Sequence, residues 1–163
     1  MDFDVGSYVV YPLHGAGIID SVIEKESPDG KMTQYYNIRF SYGNLVLMVP
    51  VDNAHSIGLR PVIPSSAVPG VFEHIKNTDV VPSETNWNKR QRENLERMKS
   101  GDIFITADVY KYLVKRENER TLSSGEKKLL TSARRILFSE IRFASGMTED
   151  EIDSVISGII CPS

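Results

Sequence analysis

Three histidines, His14, His55 and His74, and a single cysteine, Cys161, are the first side chains to test for ligation or catalysis, and their spacing speaks against both. The histidines fall in three separate segments with no E-x-x-H or H-x-x-x-H pattern, and one cysteine makes neither a disulfide framework nor a zinc set. His14, followed by Gly15, reads as a polar turn residue bonded to nearby backbone. Gly15 and Gly17 form a G-x-G pair, but the residues after them, Ile18 to Ile23, have strand character, whereas a dinucleotide cradle needs a helix there. Ser123-Ser124-Gly125-Glu126-Lys127 sets a serine near a lysine, yet S-x-x-E is a helix-capping box that accounts for every residue in it. No paired carboxylates, nucleophile or metal set emerges. The expectation is a protein without enzymatic activity, cofactor, metal or small-molecule substrate.

Trp87 differs because of its neighbours. In Ser83-Glu84-Thr85-Asn86-Trp87-Asn88-Lys89-Arg90-Gln91-Arg92 the chain's only indole stands on the first turn of a helix whose apolar residues are chiefly Leu95 and Met98. A flat apolar ring beside cations and a helix N-terminus suits a distorted duplex, where it can prop open or unstack a step from the minor groove. Lys89, Arg90, Lys127, Lys128, Arg134 and Arg135 are the cations that would hold phosphates around it. Two plainer readings stand beside this one: the indole as a core or interdomain anchor, and the cations as a solvated face laced with pairs such as Glu93 to Arg97.

The charge distribution favours a polyanion locally although the chain is acidic overall. The net charge is −3, but residues 1–66 carry 4 Lys/Arg against 7 Asp/Glu, residues 67–145 carry 15 against 11, and residues 146–163 carry 0 against 4. Each cation near a phosphate releases condensed counterions whatever the charge elsewhere, so the middle segment governs nucleic-acid affinity. With 163 residues and 40% hydrophobic content, the chain can bury a core as one ordinary domain or two small ones. Apolar runs are short, Asp2 and Asp4 occupy the start, and no membrane span or signal peptide is expected. One cysteine fits a reducing, cytoplasmic setting.

The elements that must position these residues follow from periodicity. Val5 to Tyr11, Ile18 to Lys25, Tyr35 to Phe40 and Leu45 to Val49 read as strands. Pro12 with Gly15 to Gly17, Ser27 to Gly30, and Ser41 to Asn44 read as the breaks between them. Short strands and tight turns over about 60 residues must close or cover their edges, which predicts a small SH3-like or Tudor-like barrel over 1–66. Asp52 to Gly58 reads as a helical turn, and Pro64-Ser65-Ser66 as a boundary. Beyond it the period becomes helical: Val68, Phe72 and Ile75; a helix from near Glu84 to Ser100; Ile103 to Glu119; Ser123 to about Ala144; and a last helix after Thr148, whose spacing to Glu151 repeats the capping box. The fold class is α+β, with an all-helical unit over 67–163.

Several of these residues resemble a known family. Val9-Val10-Tyr11-Pro12-Leu13-His14-Gly15-Ala16-Gly17, Val49-Pro50-Val51 and Gly58-Leu59-Arg60-Pro61 are similar to the N-terminal domain of the CarD/CdnL family of bacterial transcription regulators, a domain shared with the transcription-repair coupling factor. Thr85-Asn86-Trp87, Ser100-Gly101-Asp102 and Leu122-Ser123-Ser124-Gly125-Glu126-Lys127 resemble that family's helical domain. The resemblance implies a factor bound to RNA polymerase at promoters, and through it to the nucleoid. The Tudor-like domain would dock on the lobe or protrusion of the β subunit. The tryptophan matching Trp87 would wedge into the minor groove at the upstream edge of the −10 bubble and slow collapse of the open complex. Arg90 and Lys127 match DNA-side positions, while Lys89, Lys128 and Arg134 are added on charge and helical proximity. On the polymerase side the set is Lys25, Met48, Val49 and Pro50. Lys25 replaces a family arginine, keeping charge but losing the planar fork, and Met48 replaces another, losing charge altogether. The alternatives are a protein–protein adaptor with Trp87 buried between the domains, and a conventional repressor binding its operator without polymerase.

Overall fold

Segments rich in Val, Ile and Tyr pair as antiparallel strands because β-branched and aromatic side chains fill a pleated, half-buried surface. The computed structural model describes residues 2–42, 44–79 and 86–162. Among these residues the strands are β1 (Tyr8–Tyr11), β2 (Gly15–Glu26), β3 (Met32–Phe40), β4 (Val46–Pro50) and β5 (Arg60–Pro61), in the sheet order β4-β3-β2-β1-β5. A register shift between Ile19 and Ser21 in the β2–β3 ladder lets Ile19 and Val22 both face inward although three positions apart. With Phe3, Val9, Tyr36, Ile38, Phe40, Val49, Ala54 and Leu59 they make the core of the sheet. A short helix, α1 (Ala54–Ile57), closes on Gly58 in the left-handed conformation.

The helical part comprises α2 (Val68–Asn77), α3 (Trp87–Lys99), α4 (Ile103–Glu119), α5 (Ser124–Ser145) and α6 (Glu149–Ile160). Asn86 and Asp102 cap α3 and α4 through side-chain oxygens, and complete capping boxes, Ser123 with Glu126 and Thr148 with Glu151, open α5 and α6. Among the described residues no helix is long and apolar enough to cross a membrane.

Three expectations are corrected. Gly15 to Gly17 are not a break but the start of β2, paired with Tyr11, Val10 and Val9; the reversal is only Pro12-Leu13-His14. Arg60–Pro61 adds a strand that its length hides from any periodicity argument. The helix expected from near Glu84 has Asn86 as its cap, while Ser83 and Glu84 lie outside the described residues.

The two parts are joined through α5. Ile136 through Ile141 are all buried, because one side of that stretch faces the helical core and the other faces the sheet. The β1–β2 reversal reaches into this seam. Leu13, at φ 71°, packs against the helical core, and Pro12 sits where a Cβ on Gly58 or Gly101 would stand 3.2 Å from its ring. Gly15, at φ +96°, has no room for a side chain, since a Cβ would lie 2.8 Å from Ser139 Oγ and 3.3 Å from Ile136 Cα. The Ala16 amide donates to Ser139 Oγ at 3.0 Å. Beside it Arg60 makes a two-pronged ion pair with Glu140, each N···O distance 2.6 Å, and the Ile63 amide donates to the same carboxylate at 3.0 Å. Tyr8 stacks on Phe143, centroids 4.7 Å apart.

Candidate nucleic-acid interface

Trp87 occupies the first position of α3 because Asn86 ends the preceding chain there, accepting the amides of Asn88 and Lys89 at 3.0 and 3.3 Å. Its side chain belongs to neither apolar core and is 43% exposed, which removes the reading of Trp87 as a buried interdomain anchor. The ring is braced, not free. It lies across the start of α5, where a Cβ on Gly125 would stand 3.8 Å from Trp87 Cζ2 and 3.2 Å from Gln91 Nε2. A Cβ at position 125 would meet the indole at ordinary contact distance and crowd the Gln91 amide, so the glycine lets α3 and the start of α5 lie close together.

That approach sets Lys127 and Lys128 two and three positions beyond the residue against which the indole rests. Both are exposed, as is Lys89, and none of the three enters an ion pair among the described residues. Arg90 is half-buried on the same turn as Trp87. The start of α5 is held firmly. Glu126 takes the Ser123 amide at 3.1 Å and the Arg116 Nε–H at 2.6 Å. Burial raises its carboxyl pKa, but the Ser123 bond and the Arg116 guanidinium outweigh this and hold the group below its ordinary value. The result is a hydrogen-bonded helix start carrying two lysines, next to an exposed aromatic edge.

Arg134 does not join this group. It lies seven residues beyond Lys127, about 10 Å along the helix, and its guanidinium is taken up by Asp153 at 3.1 Å and Glu149 at 3.5 Å while covering the Phe138 ring. Its charge is spent on docking α6, a role for the acidic tail that net-charge reasoning missed. Glu93–Arg97 is the intrahelical pair expected from the spacing, at 3.1 Å.

The four polymerase-side residues separate as well. Because β4 pairs only with β3, its other edge is open among the described residues. On the outward face the rows Ser21–Asn37–Met48 and Ile23–Tyr35–Pro50 run across three strands. Met48 is exposed, and with Lys25, Tyr35, Ser27 and Pro28 it lines a shallow hollow. Val49 differs from Met48: the alternation that turns Met48 outward turns the Val49 side chain into the core, 2% exposed, which leaves its backbone on β4 as the part that faces the open edge. Among the described residues no cluster of His, Cys, Asp and Glu could hold a metal.

Comparison with known proteins accounts for both parts. A family model described as the CarD C-terminal domain matches residues 70–157, and one described as the CarD-like/TRCF RID domain matches residues 3–63. YdeB of Bacillus subtilis (strain 168), whose name marks it provisionally as a transcription factor, is 36% identical over 155 residues, covering 93% of this chain and 98% of that protein.

Proposed function

The chain belongs to the CarD family, and from that premise we propose that it regulates transcription by docking its N-terminal sheet on the RNA polymerase β subunit while Trp87 braces promoter DNA at the upstream edge of the −10 bubble. In this reading residues 1–66 act as a Tudor-like docking unit and residues 67–163 as the DNA-facing unit, and the complex they stabilise is the open one. The observation that carries it is the exposed edge of Trp87 on the first turn of α3, backed by Gly125 and Gln91 and flanked by Lys89, Lys127 and Lys128. An indole resting against a helix start loses part of its rotamer freedom before a base step presses on it, and the neighbouring ammonium groups meet phosphates without first surrendering a carboxylate partner.

The sheet offers a complementary device. The open edge of β4 can take a strand from a partner, and the hollow beside it sets the Met48 thioether and the Tyr35 ring next to Lys25 and Glu26, a mixed surface where an arginine fork would otherwise stand. Docking raises the effective concentration of the helical unit at the promoter, so a few cations suffice. The exposed, unpaired lysines support weak, salt-sensitive duplex binding indifferent to sequence.

The test is open-complex lifetime with purified polymerase. The wild-type chain lengthens it, and Trp87→Ala removes most of that effect, about tenfold for one lost aromatic–base contact. A Trp87→Ala protein that is folded, still binds polymerase and prolongs the lifetime as the wild type does defeats the proposal.

A further inference from the structure

The seam between sheet and α5 opens on its outer side into a cleft that the function above does not use. Its floor and walls are Ser41 and Tyr42 from the loop after β3, Arg135, Phe138 and Arg142 from α5, and Glu149 at the start of α6. Arg134 also lines it but is neutralised by Glu149 and Asp153. Arg135 and Arg142 are not: neither has a carboxylate within ion-pair distance among the described residues. Arg142 continues into a second hollow beside Arg39, Tyr8 and Phe143.

The placement of Arg135 is built rather than incidental, and Arg142 stands exposed near the end of the same helix. Arg135 lies over the Tyr42 ring, 4.5 Å from its centroid, and that ring is fixed by the Tyr42 hydroxyl donating to the His14 carbonyl. Positions 135 and 142 are two helical turns apart on one face, about 10 Å. Both side chains line the same cleft, and two long guanidinium groups at that helical spacing can span an anion with more than one charged centre. The neighbouring hydroxyls of Thr131 and Ser139 already donate to the Lys127 and Ile136 carbonyls, so the arginines are the principal donors facing the cleft. An uncompensated guanidinium pair in a concave, ring-walled site, on a chain whose net charge is −3, calls for an anion from outside.

We propose that this cleft is a phosphate-binding site in which Arg135 and Arg142 clamp two linked phosphate groups, either a diphosphate ester or successive phosphates of a nucleic-acid strand. Planar guanidinium forks match phosphate oxygens two at a time, and the tyrosine under Arg135 holds one fork in place before the ligand arrives. The site lies along α5 from Trp87 and does not depend on the wedge.

The experiment titrates the full chain with GDP in one arm and with a short duplex lacking polymerase in the other, following binding calorimetrically and the imidazole signal of His14 by NMR. Burial and then the charge of Arg135 hold the His14 pKa below its ordinary value, so a phosphate on Arg135 raises it. The expected result is that Arg135→Gln and Arg142→Gln each weaken one arm at least tenfold, with thermal stability retained and with the His14 shift lost in Arg135→Gln. Loss in the GDP arm identifies a free diphosphate. Loss in the duplex arm, with the salt dependence of binding reduced by about one ion per arginine, identifies a strand. Trp87→Ala run in parallel leaves the GDP arm unchanged, which separates this site from the wedge. If both glutamine variants bind both probes as the wild type does, or if the wild type binds neither, the proposal is overturned.

Discussion

Replacing Glu140 with glutamine tests whether the sheet and the helices act as one rigid unit. Glu140 is 1% exposed and its two oxygens meet the Arg60 guanidinium at 2.6 Å each, with the Ile63 amide at 3.0 Å. Glutamine keeps the shape but offers one oxygen instead of two and turns an N–H donor toward the donors of Arg60. Breaking a buried pair by removing one partner costs about 3–5 kcal/mol. Arg60 keeps its bonds to the Gly101 and Pro61 carbonyls and is 28% exposed, so water relieves part of the loss, and the lower end, about 3 kcal/mol, is expected. For a chain of this size that lowers the midpoint of thermal unfolding by about 6–12 °C. Urea unfolding followed by circular dichroism gives the free energy directly, and polymerase assays on the folded variant give the consequence: docking is kept while the effect on open-complex lifetime falls. A Glu140→Gln protein within about 0.5 kcal/mol of wild type would refute the claim that this pair locks the seam.

Gly15→Ala puts a Cβ 2.8 Å from Ser139 Oγ and 3.3 Å from backbone at Ile136, so it destabilises the chain by about 1–3 kcal/mol; calorimetry reads the shift, and a neutral result argues against the tight hairpin seat. Glu126, whose carboxyl is held below its ordinary value of 4.5, binds its proton more weakly folded than unfolded. Its stabilisation is therefore full above that value and lost as pH falls through the folded one, and Glu126→Gln flattens the acid limb of a stability–pH curve while leaving the curve's shape near pH 7 unchanged. Trp87 emission is red-shifted and open to acrylamide in the free chain, as its 43% exposure requires; a blue-shifted, protected emission contradicts the exposed ring.

Much of the fold was legible because the forces that made it are local. The capping boxes at Ser123 and Thr148, the change from strand to helix period after Pro64-Ser65-Ser66, and the apolar stripes of α2, α4 and α6 are set by residues within a few positions of one another. The candidate site was legible to the same extent. A helix start expected near Glu84 placed Trp87 on a first turn, although the cap itself, Asn86, came only from the structure, and the lysines after Ser123 fell on another first turn; nothing in the sequence said that the two helix starts touch.

By itself the sequence determined the element types, the basic middle and the single indole with its polar surroundings. Tertiary structure alone decided which cations are free. Arg134 and Arg135 are adjacent in sequence and alike in charge, yet one is consumed by Asp153 and Glu149 while the other lies on Tyr42 without a carboxylate partner among the described residues. It also turned Gly15 and Ala16 into the seat of the seam and exposed Met48 while burying Val49. Helix and strand periods follow from short-range sterics and hydrogen bonds that neighbouring residues specify, whereas charge pairing and exposure depend on which distant surface the packing brings alongside.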